Sequence, residues 1–135
     1  MGGVEVKIAA IGDNVIDRYL NKGVMYPGGN AVNVAAHASM LGAQAAYIGE
    51  IGNDLGGRII TDALSSLNVD LSQSCMPEKA TTKTCDVNVY NGERVEVGYD
   101  TGACWAHKTH INDSDVKFLQ GFDAVFTSVN AKLQD

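Results

Sequence analysis

The chain has 135 residues, of which 45% are hydrophobic and 19% charged, a composition typical of one soluble globular domain rather than a disordered segment. Sixteen acidic against ten basic residues give a formal net charge of −6, which is the wrong sign for a protein that binds nucleic acid. No apolar run is long enough to span a membrane or to form a secretion signal, so we expect a cytoplasmic protein with no membrane partner.

The cysteines are odd in number, widely spaced and without a CxxC pair: Cys75, Cys85 and Cys104. Such spacing favours the reduced thiols of a cytosolic protein over a disulfide framework or a zinc site. The sequence therefore predicts neither a disulfide nor a bound metal.

The first half of the chain alternates strands with helices. Apolar runs and helical periodicity predict a strand, a helix, a second strand and a second helix over residues 4–11, 30–41, 45–52 and 55–67. Three residues mark the helix ends: Gly42 and Asn68 suit the left-handed position just past a helix, and Asp54 suits an N-cap. The β-α-β-α order is typical of a parallel sheet covered by helices.

Two segments interrupt this pattern. Residues 14–27 are too long for an ordinary connection between a strand and a helix. Residues 82–100 alternate in polarity around Asn91-Gly92, a strong short-range signal for an antiparallel hairpin. We expect the two segments to pair with each other into a small separate sheet.

After the hairpin the pattern returns to helix and strand. Asn112, followed three residues later by Asp115, predicts a capping box at the start of a short helix. The sequence DAVFTSVN at 123–130 predicts another buried strand.

The first predicted helix starts with glycines and polar side chains. Gly28 and Gly29 let the backbone come close to a ligand, and the free N–H groups of a helix start can donate to its oxygens. Asn30 and Asn33 lie on one helical face and are followed by His37. Because an amide both donates and accepts, this stripe suits the hydroxyls of a neutral polyhydroxylated ligand. From the glycine pair alone, a simple turn with Asn33 packing locally is at least as good an interpretation.

Two carboxylates follow the first strand, Asp13 and Asp17 in the stretch GDNVID. Open α/β sheets hold ligands beyond the carboxyl ends of their strands. A carboxylate suits two neighbouring sugar hydroxyls, since each of its oxygens accepts one hydrogen bond. The sequence contains neither GxGxxG nor GxxxxGKS/T, which excludes a dinucleotide fingerprint and a P-loop.

These features together resemble the ribokinase / phosphofructokinase-B family of sugar kinases. The N-terminal signature of that family is met by Gly28, Gly29, Asn33, Ala35, Gly42 and Gly52. The family's Gly-x-Asp-x-x-Gly element is met at 52–57 with one glycine a place early, and SSLNVDLS at 65–72 matches except for Asn68 in place of glycine. The resemblance covers essentially all of the chain. Within the family, the stretches IGDNVID, GGNAVNVA and ERVEVGYDTG look most like fructoselysine 6-kinase-type members.

The resemblance implies an α/β fold of the ribokinase-like type, with a parallel βα sheet and a small antiparallel β lid. Residues 1–135 would form the N-terminal part of that domain, a truncated first half of the fold, and the lid would come from about 14–27 and 82–100. In the family the lid closes over the sugar and excludes water. In many members the lids of two subunits pair, which implies a homodimer.

The resemblance assigns six substrate-binding candidates: Asp13, Asp17, Gly28, Gly29, Asn30 and Asn33. In the family the Asp of the first-strand motif, the second glycine and the signature Asn contact the sugar, and they correspond to Asp17, Gly29 and Asn33. Asn30 stands at a variable position that helps to choose the substrate. Asp13 stands where many members have a small residue, so a ligand role there is a secondary expectation.

The chemistry that the resemblance implies is transfer of the γ-phosphoryl group of ATP to a sugar or sugar-amine hydroxyl, with Mg²⁺ neutralising phosphate charge. In the family the base and the anion hole come from a Gly-Ala-Gly-Asp motif far toward the C-terminus, and this motif is absent here. We therefore expect a chain that holds the sugar-binding part and the lid, lacks the catalytic Asp and the ATP-binding half, and is inactive alone. His37 is interpreted as a helix residue, because family members do not need a histidine there.

Two other functions stay open. One is a non-catalytic sugar-binding or regulatory module that kept the recognition face. The other is a small Rossmann-like nucleotide-binding domain, which the missing fingerprint and the hairpin insertion disfavour.

Overall fold

The computed structural model describes residues 5–102, 109–128 and 133–134 of the chain. Its elements in chain order are β1 (Lys7–Ile11), β2 (Val15–Tyr19), β3 (Val24–Gly28), α1 (Asn30–Met40), β4 (Gln44–Ile48), α2 (Leu55–Ser66), β5 (Thr84–Tyr90), β6 (Glu93–Asp100), β7 (Thr109–His110), α3 (Asp113–Leu119), β8 (Ala124–Thr127) and β9 (Leu133–Gln134). Within this part of the chain no helix is long and apolar enough to cross a membrane.

A three-stranded parallel sheet in the order β4-β1-β8 forms the base of the fold. Helix α1 packs against β1 and β4 and buries Ala31, Val32 and Ala35. Opposite them on the sheet lie small residues such as Ala10, which is fully buried in the same apolar cluster. Small side chains on both sides allow close packing, and the apolar area that they remove from water stabilises the layer.

The two interrupting segments build a second sheet, in the order β3-β2-β5-β6, which we call the lid sheet. Strand β2 pairs antiparallel with β3 and parallel with β5, and β5 and β6 form an antiparallel hairpin. At its turn Asn91 and Gly92 have φ of 51° and 82°, as a tight type I′ turn requires. The predicted pairing of the two segments is confirmed.

The β5–β6 hairpin contains a bulge. Val87 pairs with Glu96, but the preceding residue, Asp86, pairs with Gly98, which leaves one extra residue on β6. Because side chains alternate along a strand, the extra residue shifts the alternation. As a result Glu96 and Tyr99 face the same side of the lid sheet.

The local signals for the ends of elements are confirmed. Gly42 and Asn68, just past α1 and α2, have φ of 98° and 58°. At the start of α3 the side chains and backbone N–H groups of Asn112 and Asp115 form the predicted capping box. The predicted elements occur in the predicted order, with ends shifted by up to four residues, whereas the short paired strands β7 and β9 were not predicted.

The prediction of a buried strand at 123–130 is confirmed for the strand, β8, but is wrong about its burial. Strand β8 pairs with β1, and among the described residues no strand pairs with its other edge. Val125 is 48% exposed. A strand of a parallel sheet needs neighbours on its edges and covering layers on its faces to be buried, and β8 lacks them in this part of the chain.

Asp54 ties the start of α2 to the segment that enters β5. Its Oδ1 accepts hydrogen bonds from the Gly57 N–H (2.9 Å) and the Thr82 hydroxyl (2.6 Å), and its Oδ2 accepts one from the Thr82 N–H (2.8 Å). Burial alone raises the pKa of Asp54, but these hydrogen bonds lower it below its usual 3.8. Space is tight here, because a Cβ on Gly57 would overlap the carbonyl oxygen of Gly52.

We expect Asp54→Ala to lower the free energy of unfolding by about 2 kcal/mol at neutral pH, because it removes an N-cap and leaves two donors of Thr82 unpaired. Urea titration measures the change. The lowered pKa means that the native state binds fewer protons than the unfolded state, so the contribution of Asp54 is present above its usual pKa and is lost as the pH falls through the folded value.

The difference between the two proteins should therefore shrink on titration below about pH 4. Asp62, exposed on the same helix, supplies the control, since Asp62→Ala should change stability by less than about 0.5 kcal/mol. Equal losses in the two variants at neutral pH would contradict this account of Asp54.

Candidate functional site

A cavity of about 250 Å³ lies between the N-terminus of α1 and the inner face of the lid sheet, and we call it the lid cavity. It lies just below the usual volume range of small-molecule sites, and its lining is mostly polar and charged where such sites are usually apolar. Its lining includes Asp13, Asp17, Gly29, Asn30, Asn33, Lys83, Cys85, Arg94, Glu96 and Tyr99.

The lid cavity brings together five of the six candidate residues from the sequence: Asp13, Asp17, Gly29, Asn30 and Asn33. Gly28 is buried and is not part of the lining. His37 is exposed one turn further along α1 and also lies outside the lining. The first-strand acid and the helix amide therefore share one cleft.

Buried hydrogen bonds fix the turn between β1 and β2. The Tyr47 hydroxyl donates to the carbonyl oxygen of Gly12 (2.7 Å) and accepts from the Asn14 side-chain N–H (2.9 Å). The same Asn14 amide nitrogen donates to the carbonyl oxygen of Glu50 (2.8 Å). Because Tyr47 and Asn14 are almost fully buried, this network leaves the turn little freedom. It sets the position of the backbone at Asp13.

Gly29 brings the start of α1 against that turn. Its φ is 105° and its ψ 142°, a region that is essentially restricted to glycine. A Cβ at this position would lie 2.7 Å from the carbonyl oxygen of Asp13 and 3.0 Å from Cα of Asn14. Both the backbone angles and the space therefore require glycine, as the sequence suggested for close backbone approach.

Gly28 makes room for Asp17 instead of lining the cavity. A Cβ on Gly28 would lie 2.9 Å from Oδ2 of Asp17 and 3.3 Å from Cγ1 of Val15. The other carboxylate oxygen of Asp17, Oδ1, lies 3.3 Å from Nη2 of Arg94. Asp17 is thus held between the β3 backbone and a cation of β6.

Asp13 and Lys83 form the floor of the lid cavity. Nζ of Lys83 lies 3.5 Å from Oδ2 of Asp13, and each side chain is only 12% exposed. The same Nζ lies 5.0 Å from the centre of the Tyr99 ring, within cation–π range. Oδ1 of Asp13 is buried and has no hydrogen-bond partner among the described residues. A buried acceptor of this kind suits a hydroxyl of a bound molecule.

Arg94 and Glu96 lie toward the opening of the lid cavity. Nη1 of Arg94 lies 3.1 Å from Oε1 of Glu96. Its hydrogen bond with Glu96 raises the pKa of Arg94 above its usual value despite partial burial, so this residue stays charged. Burial, helped by the nearby Glu96 and Asp17, raises the pKa of the Cys85 thiol, so it stays protonated and is a poor nucleophile at neutral pH.

The sequence analysis did not identify the lining residues that the hairpin supplies: Lys83, Cys85, Arg94, Glu96 and Tyr99. The alternation in the stretch ERVEV could have placed Arg94 and Glu96 on one face of β6. It could not say which face meets the cavity, because that depends on the register of β6 with β5 and on the bulge.

The described residues do not fit a nucleoside triphosphate. The lid cavity has three carboxylates against two cations, and each cation is already in an ion pair. Asp54 occupies the start of α2 and Asn112 that of α3, so those helix N-termini have no donors left over for phosphate at the capped positions. No group of three His, Cys, Asp or Glu side chains in the described ranges is placed to hold a metal ion. We assign no step of phosphoryl transfer to these residues.

Comparison with known proteins identifies the family of this chain. Residues 5–132 match the pfkB family of carbohydrate kinases. The chain belongs to this family.

Its curated relatives include kinases of amino sugars. The chain is 34% identical over 134 residues to the fructosamine kinase FrlD of Bacillus subtilis, covering 96% of this chain and 46% of that protein. It is 29% identical over 128 residues to the fructoselysine 6-kinase of Escherichia coli, covering 95% and 48%. The chain thus spans about half the length of the curated relatives it matches.

Solved structures give the same fold. A sugar kinase of Pyrococcus horikoshii in complex with ATP matches with a TM-score of 0.72 at 27% identity, over 89% of this chain and 42% of that one. The ribokinase of Arabidopsis thaliana, solved with ribose and ATP, matches with a TM-score of 0.81 at 18% identity, over 97% and 47%. The latter likeness establishes the ribokinase-like fold alone.

We expect Gly29→Ala to destabilise the protein more than Gly42→Ala does. Both glycines have φ near 100°, but a Cβ on Gly42 would meet nothing within 4 Å, whereas one on Gly29 would press on the β1–β2 turn. Backbone strain alone costs about 1–3 kcal/mol, and Gly29→Ala adds steric overlap to it. Urea unfolding of the two variants measures the difference, and equal losses would mean that the close approach at Gly29 is unimportant.

Proposed function

We propose that the chain supplies the sugar-binding part and the lid of an ATP-dependent kinase that phosphorylates a hydroxyl of a fructosamine-type sugar-amine. The observation that carries the proposal is the convergence of Asp17, Asn33, Gly29 and Asn30 on one cavity. Family membership supports the reaction class. The relatives named for fructosamine and fructoselysine support the substrate class.

The roles of the residues follow from their chemistry. The carboxylate of Asp17 accepts hydrogen bonds from neighbouring sugar hydroxyls, and the amide of Asn33 both donates to and accepts from others. Asn30 lies at the mouth beside it and contributes to the choice of sugar. Asp13 adds a second acceptor from the floor, where its Oδ1 is buried. Gly29 contributes through its backbone, and Gly28 by giving Asp17 its space.

The lid sheet excludes water from the sugar, which strengthens every polar contact in the cavity.

The lid sheet also has large exposed apolar side chains on β3 and β6, among them Met25, Tyr26 and Val95. Strands β3 and β6 are the two edges of the lid sheet among the described residues, and an unpaired edge is a place where another strand can add. These side chains support pairing of two lids in a homodimer.

Phosphoryl transfer itself would need bound ATP and Mg²⁺. It would also need a base and an anion hole, which residues outside these 135 would supply. The alternative is a sugar-binding or regulatory module without catalysis, in which the same residues of the lid cavity hold the sugar. In both cases the lid cavity binds sugar.

We expect Asp17→Asn to weaken binding of fructose and of a simple fructosamine by about tenfold, and Asn33→Ala by several-fold, because each removes a hydrogen-bond partner of the sugar. Isothermal titration calorimetry on the 135-residue chain measures the affinities. Asp86→Asn, on the opposite face of the lid sheet, is the matched control and should bind as the wild type does. A wild-type chain that binds no sugar would refute the proposal.

We expect this chain to consume no ATP above a blank in the presence of fructoselysine or simple ketoses, because no residue in it matches the family's catalytic motif. A coupled ATP-consumption assay is the measurement. Clear turnover would mean that the base lies among these 135 residues. The proposal that this chain binds the sugar but does not catalyse the transfer would then be wrong.

A further inference from the structure

The ionic groups of the lid cavity become more exposed from floor to opening. The side chains of Asp13 and Lys83 are 12% exposed, that of Asp17 is 23%, that of Arg94 is 41% and that of Glu96 is 63%. A sugar ring bound at Asp17 would therefore direct any substituent toward Arg94 and Glu96. These two residues are the charged groups that such a substituent meets as it leaves the floor.

Arg94 competes with a sugar for Asp17. One carboxylate oxygen of Asp17, Oδ2, lies against Gly28, and the other, Oδ1, lies 3.3 Å from Nη2 of Arg94. A hydroxyl that binds Oδ1 must share it with the guanidinium or displace it. The guanidinium leaves Asp17 without losing a carboxylate partner only if another anion receives it.

We propose that Arg94 is a specificity-determining residue that releases Asp17 to the sugar when a carboxylate on the substrate's substituent binds its guanidinium. Once Arg94 has moved away from Glu96, the carboxylate of Glu96 pairs with the cationic nitrogen that joins the substituent to the sugar. This inference rests on the proposed function. The preferred substrates are fructosamines whose amine bears a carboxylate, such as those of amino acids, over free fructose and over fructosamines of plain alkylamines.

The charges that line the lid cavity suit both ends of such a substituent. The three carboxylates and two cations of the cavity leave a net charge of −1, which is complementary to a protonated amine. The planar fork of arginine matches a carboxylate in a bidentate geometry, so the exchange of Asp17 and Glu96 for a substrate carboxylate keeps the guanidinium paired. A neutral sugar offers no such partner and has to compete with Arg94 for Asp17.

The test compares three ligands by isothermal titration calorimetry on the 135-residue chain: fructose, the fructosamine of hexylamine and the fructosamine of ε-aminocaproate. The last two differ only in a terminal methyl against a carboxylate. The wild type should prefer the carboxylate ligand by about tenfold, as expected for one charge-assisted contact. Arg94→Gln should abolish this preference and bind fructose more tightly than the wild type does, because fructose no longer competes with the guanidinium for Asp17. Arg94→Lys should retain part of the preference. Glu96→Gln should weaken both fructosamines more than it weakens fructose, because only the fructosamines carry the cationic nitrogen.

Arg18→Gln is the matched control. Arg18 is paired with Asp86 at 2.5 Å, is 44% exposed and lies on the opposite face of the same sheet, so its loss should leave all three affinities unchanged. Equal weakening of all three ligands by Arg94→Gln would mean a structural role and would overturn the inference. A wild type that binds fructose but ignores the carboxylate would refute this inference alone, whereas a wild type that binds none of the three would refute the proposed function with it.

Discussion

The buried contact between Tyr47, Asn14 and the carbonyl oxygen of Gly12 is the interaction on which the site depends. It fixes the point where the chain leaves the parallel sheet and enters the lid sheet. All three groups lie in the interior, where an unsatisfied hydrogen bond is expensive, so the turn has one favoured position. From that position the backbone of Asp13 meets Gly29, and Asp17 is carried over the start of α1.

The cavity is therefore a property of how two sheets join, not of either sheet alone. The parallel sheet provides the floor and the start of α1, with its small buried residues allowing close packing. The lid sheet provides the cations, and its parallel β2–β5 pair joins segments that are far apart in sequence. A small molecule held at this junction would contact both sheets at once.

Local signals made much of the fold predictable. Asp54, Gly42, Asn68 and the Asn91-Gly92 pair each act within a few residues of themselves, so their roles could be inferred from the sequence. The grouping of Asp17 with Asn33 was also predictable, because the resemblance placed them at one edge of a known fold.

The remaining features depend on contacts that the sequence does not encode locally. The burial of β8 depends on what lies beside it, and within the described residues nothing covers its outer edge. The contribution of Arg94 to the cavity depends on the pairing of β2 with the distant β5, and on the register of β6 with β5 across the bulge. The alternation along β6 was visible in the sequence, but the side of the sheet that Arg94 faces was not.

The bulge in β6 has an evolutionary consequence. Because it resets the alternation midway along the strand, loss or gain of one residue there would exchange the side chains that face the ligand for those that face solvent, on one half of the strand only. Relatives could thus acquire a different ligand preference by a single-codon insertion or deletion, with the scaffold beneath left intact.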